Sequence, residues 1–337
     1  MKNLLFILLF SALAVNAQKV ALHSSASVQH FNGINGLVNA YAVANSGDTI
    51  YLPGGGFTSP ASIDKQLYIF GAGHYPDSTQ ATAKTYINGD INLSENADGF
   101  TLEGVEINGQ LKFDYQESVN NVVVKYCKMT KIDVYGNNTF TTPSSNLTFI
   151  NNIIAGDVLL SNGQNVGMFN NIIEARITNS SGNLFENNIF MYSYTGAASY
   201  YTLNGNNNVV QNNIFLNLSN KYINGVSNQI HNNVFIDSAP QFGTTPIFSG
   251  NYFGIAQSSI FINQTGFTFD YAHDYHLQSP TTYLGVDNTE VGIYGGIHGY
   301  KEGAVPSNPH IQLNNISPST NNSGFLNVHI KGTAQDK

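Results

Sequence analysis

Four charged residues recur at intervals in the middle of a chain that is otherwise poor in charge. Lys131, Asp133, Asp157 and Arg176 belong to a sequence of 337 residues, of which only 10% are charged, and Arg176 is its single arginine. An amine or guanidinium can exchange a proton with a substrate or neutralise its charge. Two carboxylates can bind a hard cation such as Ca²⁺. These residues are therefore the first candidates for chemistry.

Tyrosines form a second group of candidates. Tyr192, Tyr194, Tyr200 and Tyr201 lie on or inside a predicted long loop, residues 195–208. Aromatic rings with a polar tip suit sugar stacking and protein interfaces alike. The alternative is that these rings only cover the apolar flank of the loop.

A repeated phrase indicates which elements must position these side chains. The phrase reads apolar, variable, Asn, Asn, apolar, apolar, and it returns at a period of about 20 residues, which is typical of repeat architectures. A looser form of the phrase extends the series back to Cys127 and Val105, so eight copies are predicted. The second asparagines, with one degraded copy at the end, are Asn152, Asn171, Asn188, Asn213, Asn233 and Asn251.

The second asparagine predicts a structural ladder. Stacked at a strand spacing of about 4.8 Å, each side-chain amide can bond to the amides above and below it. Asparagine also tolerates the left-handed backbone that a sharp bend needs. Cys127 would continue this inward column with a small apolar group, so we expect a structural role for it rather than a nucleophilic one.

These repeats and two flanking segments carry a family resemblance. Residues 47–55 (GDTIYLPGG) resemble the first coil, and residues 274–280 (DYHLQSP) the last coil, of secreted bacterial β-helices. The chain thus resembles the pectate-lyase-like superfamily over roughly residues 47–290. The resemblance implies an all-β fold, a single-stranded right-handed parallel β-helix (a solenoid), with an N-terminal cap and a C-terminal extension.

The resemblance also implies where the strands lie. The first strand of successive coils is expected at residues 131–134, 157–160, 175–178 and 191–194. With period-two alternation, Lys131, Asp157 and Arg176 would then stack outward in one column, and Asp133 would lie in the next. Enzymes of this superfamily work on the outer face of that first sheet.

Two interpretations of this column remain open. In a polysaccharide lyase, Lys131 and Arg176 would take a proton beside a uronate and neutralise its carboxylate, and Asp133 with Asp157 would hold calcium. Alternatively, the column is a ladder of alternating charges that only avoids like-charge stacking. His273, Asp274 and His276 lie in a predicted closing strand, which argues against a metal site there.

Composition narrows the class of protein. The net charge of −8 argues against a nucleic-acid partner, and one cysteine cannot form an internal disulfide. Lys2, an apolar run over residues 4–13 and small residues at Val15 and Ala17 predict a secretory signal peptide, and no run is long enough for a transmembrane segment.

The predicted organisation has four parts. They are a signal peptide (1–17), an N-terminal cap (18–46) with a short helix over 34–45, a β-helix (47–300), and a C-terminal extension or cap (301–337) with a strand through Leu326, Val328 and Ile330. The protein is expected to be secreted, in the extracellular space, at the cell surface or in the periplasm.

Our leading functional hypothesis is a non-catalytic β-helix that binds a polysaccharide or cell-surface glycan, or serves adhesion, without a cofactor. Its expected ligand-binding residues are Asp133, Asp157, Tyr192, Tyr194, Tyr200 and Tyr201. The alternative is a calcium-dependent lyase that cleaves a uronate-containing polymer by β-elimination.

Overall fold

The computed structural model describes residues 18–115, 117–134, 142–194, 200–300, 303, 305, 307 and 310–333. The predicted signal peptide, residues 1–17, lies outside the described residues, as do residues 195–199 of the predicted long loop. Within the described part the chain is mostly β-structure. It has one α-helix, α1 (Gly36–Val43), and one short 3-10 helix (Gln257–Ser259).

The strands of the first half of the chain, in order, are β1 (Lys19–His23), β2 (Val28–Asn32), β3 (Thr49–Tyr51), β4 (Gly55–Thr58), β5 (Tyr68–Phe70), β6 (Thr85–Asn88), β7 (Ile91–Leu93), β8 (Thr101–Glu103), β9 (Glu106–Phe113), β10 (Val123–Lys125), β11 (Lys128–Asp133), β12 (Ser144–Ile150), β13 (Ile153–Ile154), β14 (Val158–Leu159) and β15 (Gly163–Phe169).

The strands of the second half are β16 (Ile172–Ile173), β17 (Ile177–Ser181), β18 (Leu184–Glu186), β19 (Ile189–Phe190), β20 (Leu203–Asn206), β21 (Val209–Gln211), β22 (Ile214–Phe215), β23 (Ile223–Asn224), β24 (Gln229–His231), β25 (Val234–Phe235), β26 (Ile247–Ser249), β27 (Phe261–Asn263), β28 (Asp274–Leu277), β29 (His310–Ile316) and β30 (Val328–Thr333).

Two long sheets contain most of these strands. Sheet A has the order β2-β1-β3-β5-β8-β10-β12-β15-β18-β21-β24-β26 and is parallel from β3 onward. Its first strands, β1 and β2, run antiparallel, and α1 packs beside them with Leu37 and Ala40 buried. The helix lies within the predicted segment 34–45, so that prediction is confirmed.

Sheet B is parallel and contains two rows of strands. The long strand β11 joins the rows, because Met129 pairs with Ile154 of β13 while Ile132 pairs with Val158 of β14. From β3 onward, consecutive strands of sheet A are separated along the chain by strands of sheet B. This alternation of parallel strands is compatible with a parallel β-helix.

The predicted repeat register is confirmed by the pairing in sheet A. The residue three positions before each register mark pairs with its counterpart in the next copy. These partners are Leu102, Val124, Phe149, Met168, Phe185, Val210, Ile230 and Phe248. All but the last are buried, so they line the core between the two sheets.

The second asparagines form a continuous chain of hydrogen bonds. Asn152 Nδ2 donates to Asn171 Oδ1 at 3.0 Å, and the same contact joins each later pair as far as Asn251, at 2.9 to 3.0 Å. At the other end, the Cys127 backbone N–H donates to Asn152 Oδ1 at 3.0 Å. Each amide has hydrogen-bond partners in the neighbouring copies, so its burial does not leave its polar atoms unsatisfied.

The left-handed backbone lies at the first asparagine of each pair, and the expectation that placed it at the second was wrong. Asn151, Asn170, Asn187, Asn212 and Asn232 have φ between 53° and 60°. Tyr126 and Gly250 take the same conformation before Cys127 and Asn251. The backbone bends at the first residue of the pair, and the side chain of the second residue then points inward.

A C-terminal segment, residues 284–300, packs along these bends. Asn232, Asn187 and Asn170 donate to the carbonyls of Leu284, Gly292 and Ile293 at 2.8 to 3.0 Å. The segment therefore runs against the order of the repeats. It covers a second apolar cluster on the outside of sheet B, whose members include Ile153, Ile172, Ile189, Ile214, Val291 and Ile293.

Beyond this segment, β29 and β30 form a separate antiparallel hairpin. β30 includes Val328 and Ile330 of the predicted C-terminal strand, and Leu326 lies outside it. No helix of the described residues has the length and apolar character to cross a membrane.

Candidate functional site

Lys131, Asp157 and Arg176 occupy one register column on the outside of sheet B. Val158 pairs with both Ile132 and Ile177, and all three are completely buried. The residue before each of them therefore faces outward on adjacent strands. We call strands β7, β9, β11, β14 and β17, which pair successively in this part of sheet B, the charged row.

The fourth predicted segment of this column, residues 191–194, is not a strand. The strand that pairs with Ile177 is β20, and the partner residue is Leu203. Because residues 191–194 form no strand, the next position of the outward column falls later in the chain, just before Leu203. Period-two alternation could not reveal this, because Tyr192 and Tyr194 alternate with Met191 and Ser193 as a strand would.

Each cation of the charged row is bound to a carboxylate. Arg176 Nη2 lies 2.8 Å from Asp157 Oδ2, and the Arg176 backbone N–H donates to Asp157 Oδ1 at 3.1 Å. Lys131 Nζ lies 2.9 Å from Asp133 Oδ2, within its own strand. The hydrogen bond to Asp157 raises the pKa of Arg176 above its ordinary value, so the guanidinium stays protonated.

Calcium does not fit these carboxylates. Ca²⁺ needs six to eight oxygen ligands, whereas Asp133 and Asp157 each contact a fixed positive charge. Across the described residues, no group of three or more His, Cys, Asp or Glu side chains could hold a metal ion. Asp274 and His276 bond to each other at 2.8 Å, and the His276 ring stacks on Tyr294 with centroids 3.8 Å apart.

Three predicted tyrosines lie beside Arg176. Its guanidinium carbon is 4.8 Å from the centre of the Tyr200 ring, and Tyr194 meets that ring edge-on at 5.2 Å. Burial raises the pKa of Tyr192 despite the nearby Arg176 charge. Tyr200 remains 45% exposed. We call Asp157, Arg176, Tyr192, Tyr194 and Tyr200 the tyrosine–arginine cluster.

Tyr201 belongs to a different group of contacts. Its hydroxyl donates to Gln241 Oε1 at 3.2 Å, and Lys221 Nζ lies 5.3 Å from its ring centre. Tyr201 therefore contacts a different set of side chains from the other three predicted tyrosines.

A pocket opens where β7, β9 and β11 end. Its volume is about 210 Å³, and we call it the Asp133 pocket; its lining residues are Ser62, Asn92, Leu93, Lys112, Phe113, Asp114, Tyr115 and Asp133. Asn92, Lys112 and Asp133 are register partners on adjacent strands. Of these residues only Asp133 was predicted. The sequence did contain a signal for Asn92 and Lys112. They are about one repeat apart, and each follows an apolar residue that points inward, Ile91 and Leu111, so both could have been predicted to point outward.

Polar atoms on this face are incompletely bonded. Asp133 Oδ1 and Thr178 Oγ1 lie in the same outward column, are buried, and have no hydrogen-bond partner among the described residues. Lys112 Nζ is 2.5 Å from Asp90 Oδ2, a contact that lowers the pKa of Asp90 and raises that of Lys112. The face thus has the ion pairs Asp90–Lys112, Asp133–Lys131 and Asp157–Arg176, with a further carboxylate, Asp114, lining the pocket.

Cys127 cannot serve as a nucleophile in this environment. The side chain is completely buried, and burial raises the pKa of its thiol to about 12. The reactive thiolate is therefore absent near neutral pH.

Comparison with known proteins adds no assignment. No protein-family model matches this chain, and neither a curated protein nor a solved structure shows significant similarity to it.

Proposed function

We propose that this chain is an exported right-handed parallel β-helix of the pectate-lyase-like kind that binds a glycan on the charged row without cleaving it. The observation that carries the proposal is the combination of the Asp133 pocket and the exposed Tyr200 on one face. From β7 to β17 there are four strand intervals, roughly 19 Å at about 4.8 Å each. That length suits a short stretch of polysaccharide laid across the strands.

The chemistry of this face suits sugar rings. The Tyr200 ring offers an apolar surface with a polar tip, which matches the C–H face and hydroxyls of a sugar. The Asp133 pocket, at about 210 Å³, is smaller than the roughly 300 to 1,000 Å³ of drug-sized sites and has room for one small group. Asp133 lines this pocket, so its carboxylate could accept a hydrogen bond from a sugar hydroxyl.

The charge pattern favours a neutral glycan over a polyuronate. Asp90, Asp133 and Asp157 are each paired with a cation, and Asp114 adds a further carboxylate at the pocket, so the face has no net positive charge to attract a polyanion. β-Elimination needs an unprotonated base. Arg176 stays protonated beside Asp157, and the Lys131 ammonium is bound to Asp133.

The test is binding to an array of neutral and uronate-containing oligosaccharides, followed by titration calorimetry with the best ligand. We expect Tyr200→Ala and Asp133→Asn each to weaken binding about tenfold, which corresponds to ~1.4 kcal/mol. Tyr51→Ala is the matched control, because Tyr51 lies in sheet A, where its ring stacks on Phe70.

The same assay separates the alternatives. If no oligosaccharide is retained, the glycan-binding proposal is wrong. If a uronate polymer instead yields an ultraviolet-absorbing unsaturated product, and Lys131→Ala or Arg176→Ala abolishes that product, the protein is a lyase.

A further inference from the structure

The two ends of the repeat stack differ in how they are closed. At the N-terminal end, β1 and β2 add antiparallel strands to sheet A, and α1 buries Leu37 and Ala40 against them. At the C-terminal end, β26 is the last strand of sheet A and pairs only with β24 among the described strands. One edge of β26 therefore presents backbone groups with no strand beside them, a template for pairing with another chain.

Core positions are uncovered at this open end. Phe248 is in register with Ile230 and Val210, which are completely buried, yet Phe248 is 56% exposed. The stacked rings of Phe190, Phe215 and Phe235 lead to Phe253, which is 40% exposed. Phe242 completes the set, with its ring 5.9 Å from Phe248 and 6.1 Å from Phe253.

The segment that carries these phenylalanines contains no charged side chain. Residues 239–269 contain no Asp, Glu, Lys, Arg or His, in a chain whose net charge is −8. This segment offers a charged partner no side chain with which to form an ion pair. A second copy of the same end would meet an equally neutral, equally aromatic surface, with no like-charge repulsion.

We propose that two copies of this chain associate end to end through β26 and the aromatic end formed by Phe242, Phe248 and Phe253. A two-fold axis uses the same patch on both subunits, so the contact closes at a dimer. The axis also makes the two β26 strands antiparallel, and their free edges can then form a ladder. The three phenylalanines of each subunit cover those of the other.

The experiment is light scattering on residues 18–337, the chain without the predicted signal peptide, over a concentration series. We expect a mass of two chains. Phe248→Asp places like charges against each other and should raise the dissociation constant about a hundredfold, giving a monomer at low concentration. Ile247→Lys, at a position 61% exposed, should do the same. Ile297→Asp, at a position 93% exposed, is the matched control and should remain a dimer.

Circular dichroism of each variant establishes that the fold is retained. A wild-type chain that stays monomeric at all concentrations overturns the proposal, and so does a folded Phe248→Asp or Ile247→Lys variant that stays dimeric. An open series of larger assemblies would also overturn it, because that result requires a head-to-tail contact with a different surface.

Discussion

At the residue scale, the two asparagines of each repeat have different structural roles. The second, such as Asn188, is completely buried and bonds to asparagines on both sides. The first, such as Asn187, holds the left-handed backbone and bonds outward to residues 284–300. One dipeptide thus ties the core together and fastens the C-terminal segment to it.

Removing a ladder asparagine should be costly. Asn188→Ala removes the Oδ1 that accepts from the Asn171 backbone N–H and from Asn171 Nδ2. It also leaves Asn213 Oδ1 without one donor. Because buried unsatisfied groups cost about 1–3 kcal/mol each, we expect a loss of ~3 kcal/mol or more in the free energy of unfolding. Urea denaturation measures it. Asn204→Ala, at an exposed position, is the control and should cost less than about 0.5 kcal/mol.

A buried histidine should make stability depend on pH. Burial, together with the charges of Lys128 and Lys84, lowers the pKa of His74 to about 3, and its Nδ1 contacts the Tyr271 hydroxyl at 3.1 Å. Between pH 3 and about 6.5 only the unfolded chain binds this proton, so stability rises with pH through that window. Going from pH 6.5 to 5 should cost about 1.6 kcal/mol, since the unfolded histidine is already half protonated at pH 6.5.

The matched comparison isolates this proton from the carboxylates. Urea unfolding of His74→Leu should show a shallower pH dependence than the wild type by about 1.4 kcal/mol per pH unit. His30→Leu changes an exposed side chain and should keep the wild-type slope. An unchanged slope in His74→Leu would contradict the assignment.

At the scale of elements, residues 284–300 act as a strap across the bends. Asn170 makes the clearest attachment, since its Nδ2 donates at 2.8 Å to the carbonyls of both Ile293 and Gly295. The strap covers apolar residues on the outside of sheet B that would otherwise face water. Its attachment uses the first asparagine of a pair, whereas the ladder uses the second.

Two substitutions at Asn170 separate bonding from backbone strain. Asn170→Gly keeps the left-handed backbone but loses both bonds, and should cost about 1–3 kcal/mol. Asn170→Ala adds a side chain at φ 54° and should cost a further ~1–2 kcal/mol. Urea unfolding measures both. Hydrogen exchange over residues 284–300 should accelerate in both variants, and unchanged exchange would show that the strap does not depend on Asn170.

At the scale of the whole molecule, the repeat stack has one closed end, one open end and, on sheet B, the charged row. The charged row, with Tyr200 and the Asp133 pocket, is the surface proposed for a glycan. The open end, with Phe248 and β26, is the surface proposed for a second copy. These surfaces involve different strands, so Tyr200→Ala and Phe248→Asp should act independently on binding and on assembly.

The sequence alone determined the repeat and its register. Each copy specifies its own alternation of inward and outward residues. The asparagine side chains of the column can hydrogen-bond to one another only when the copies stack in parallel. The local pattern was therefore sufficient to predict the register. The register in turn predicted which residues lie next to one another in a column, such as Lys131, Asp157 and Arg176.

Only the tertiary structure decided which side chains finally meet. The spacing of the repeat left open that Lys131 pairs within its own strand, that Tyr200 joins Arg176 while Tyr201 contacts Gln241, and that the strap returns across the bends. Side-chain rotamers and loop paths determine these contacts. The contact between Asn170 and Ile293 joins residues far apart in the chain, and no periodic pattern encodes such a contact.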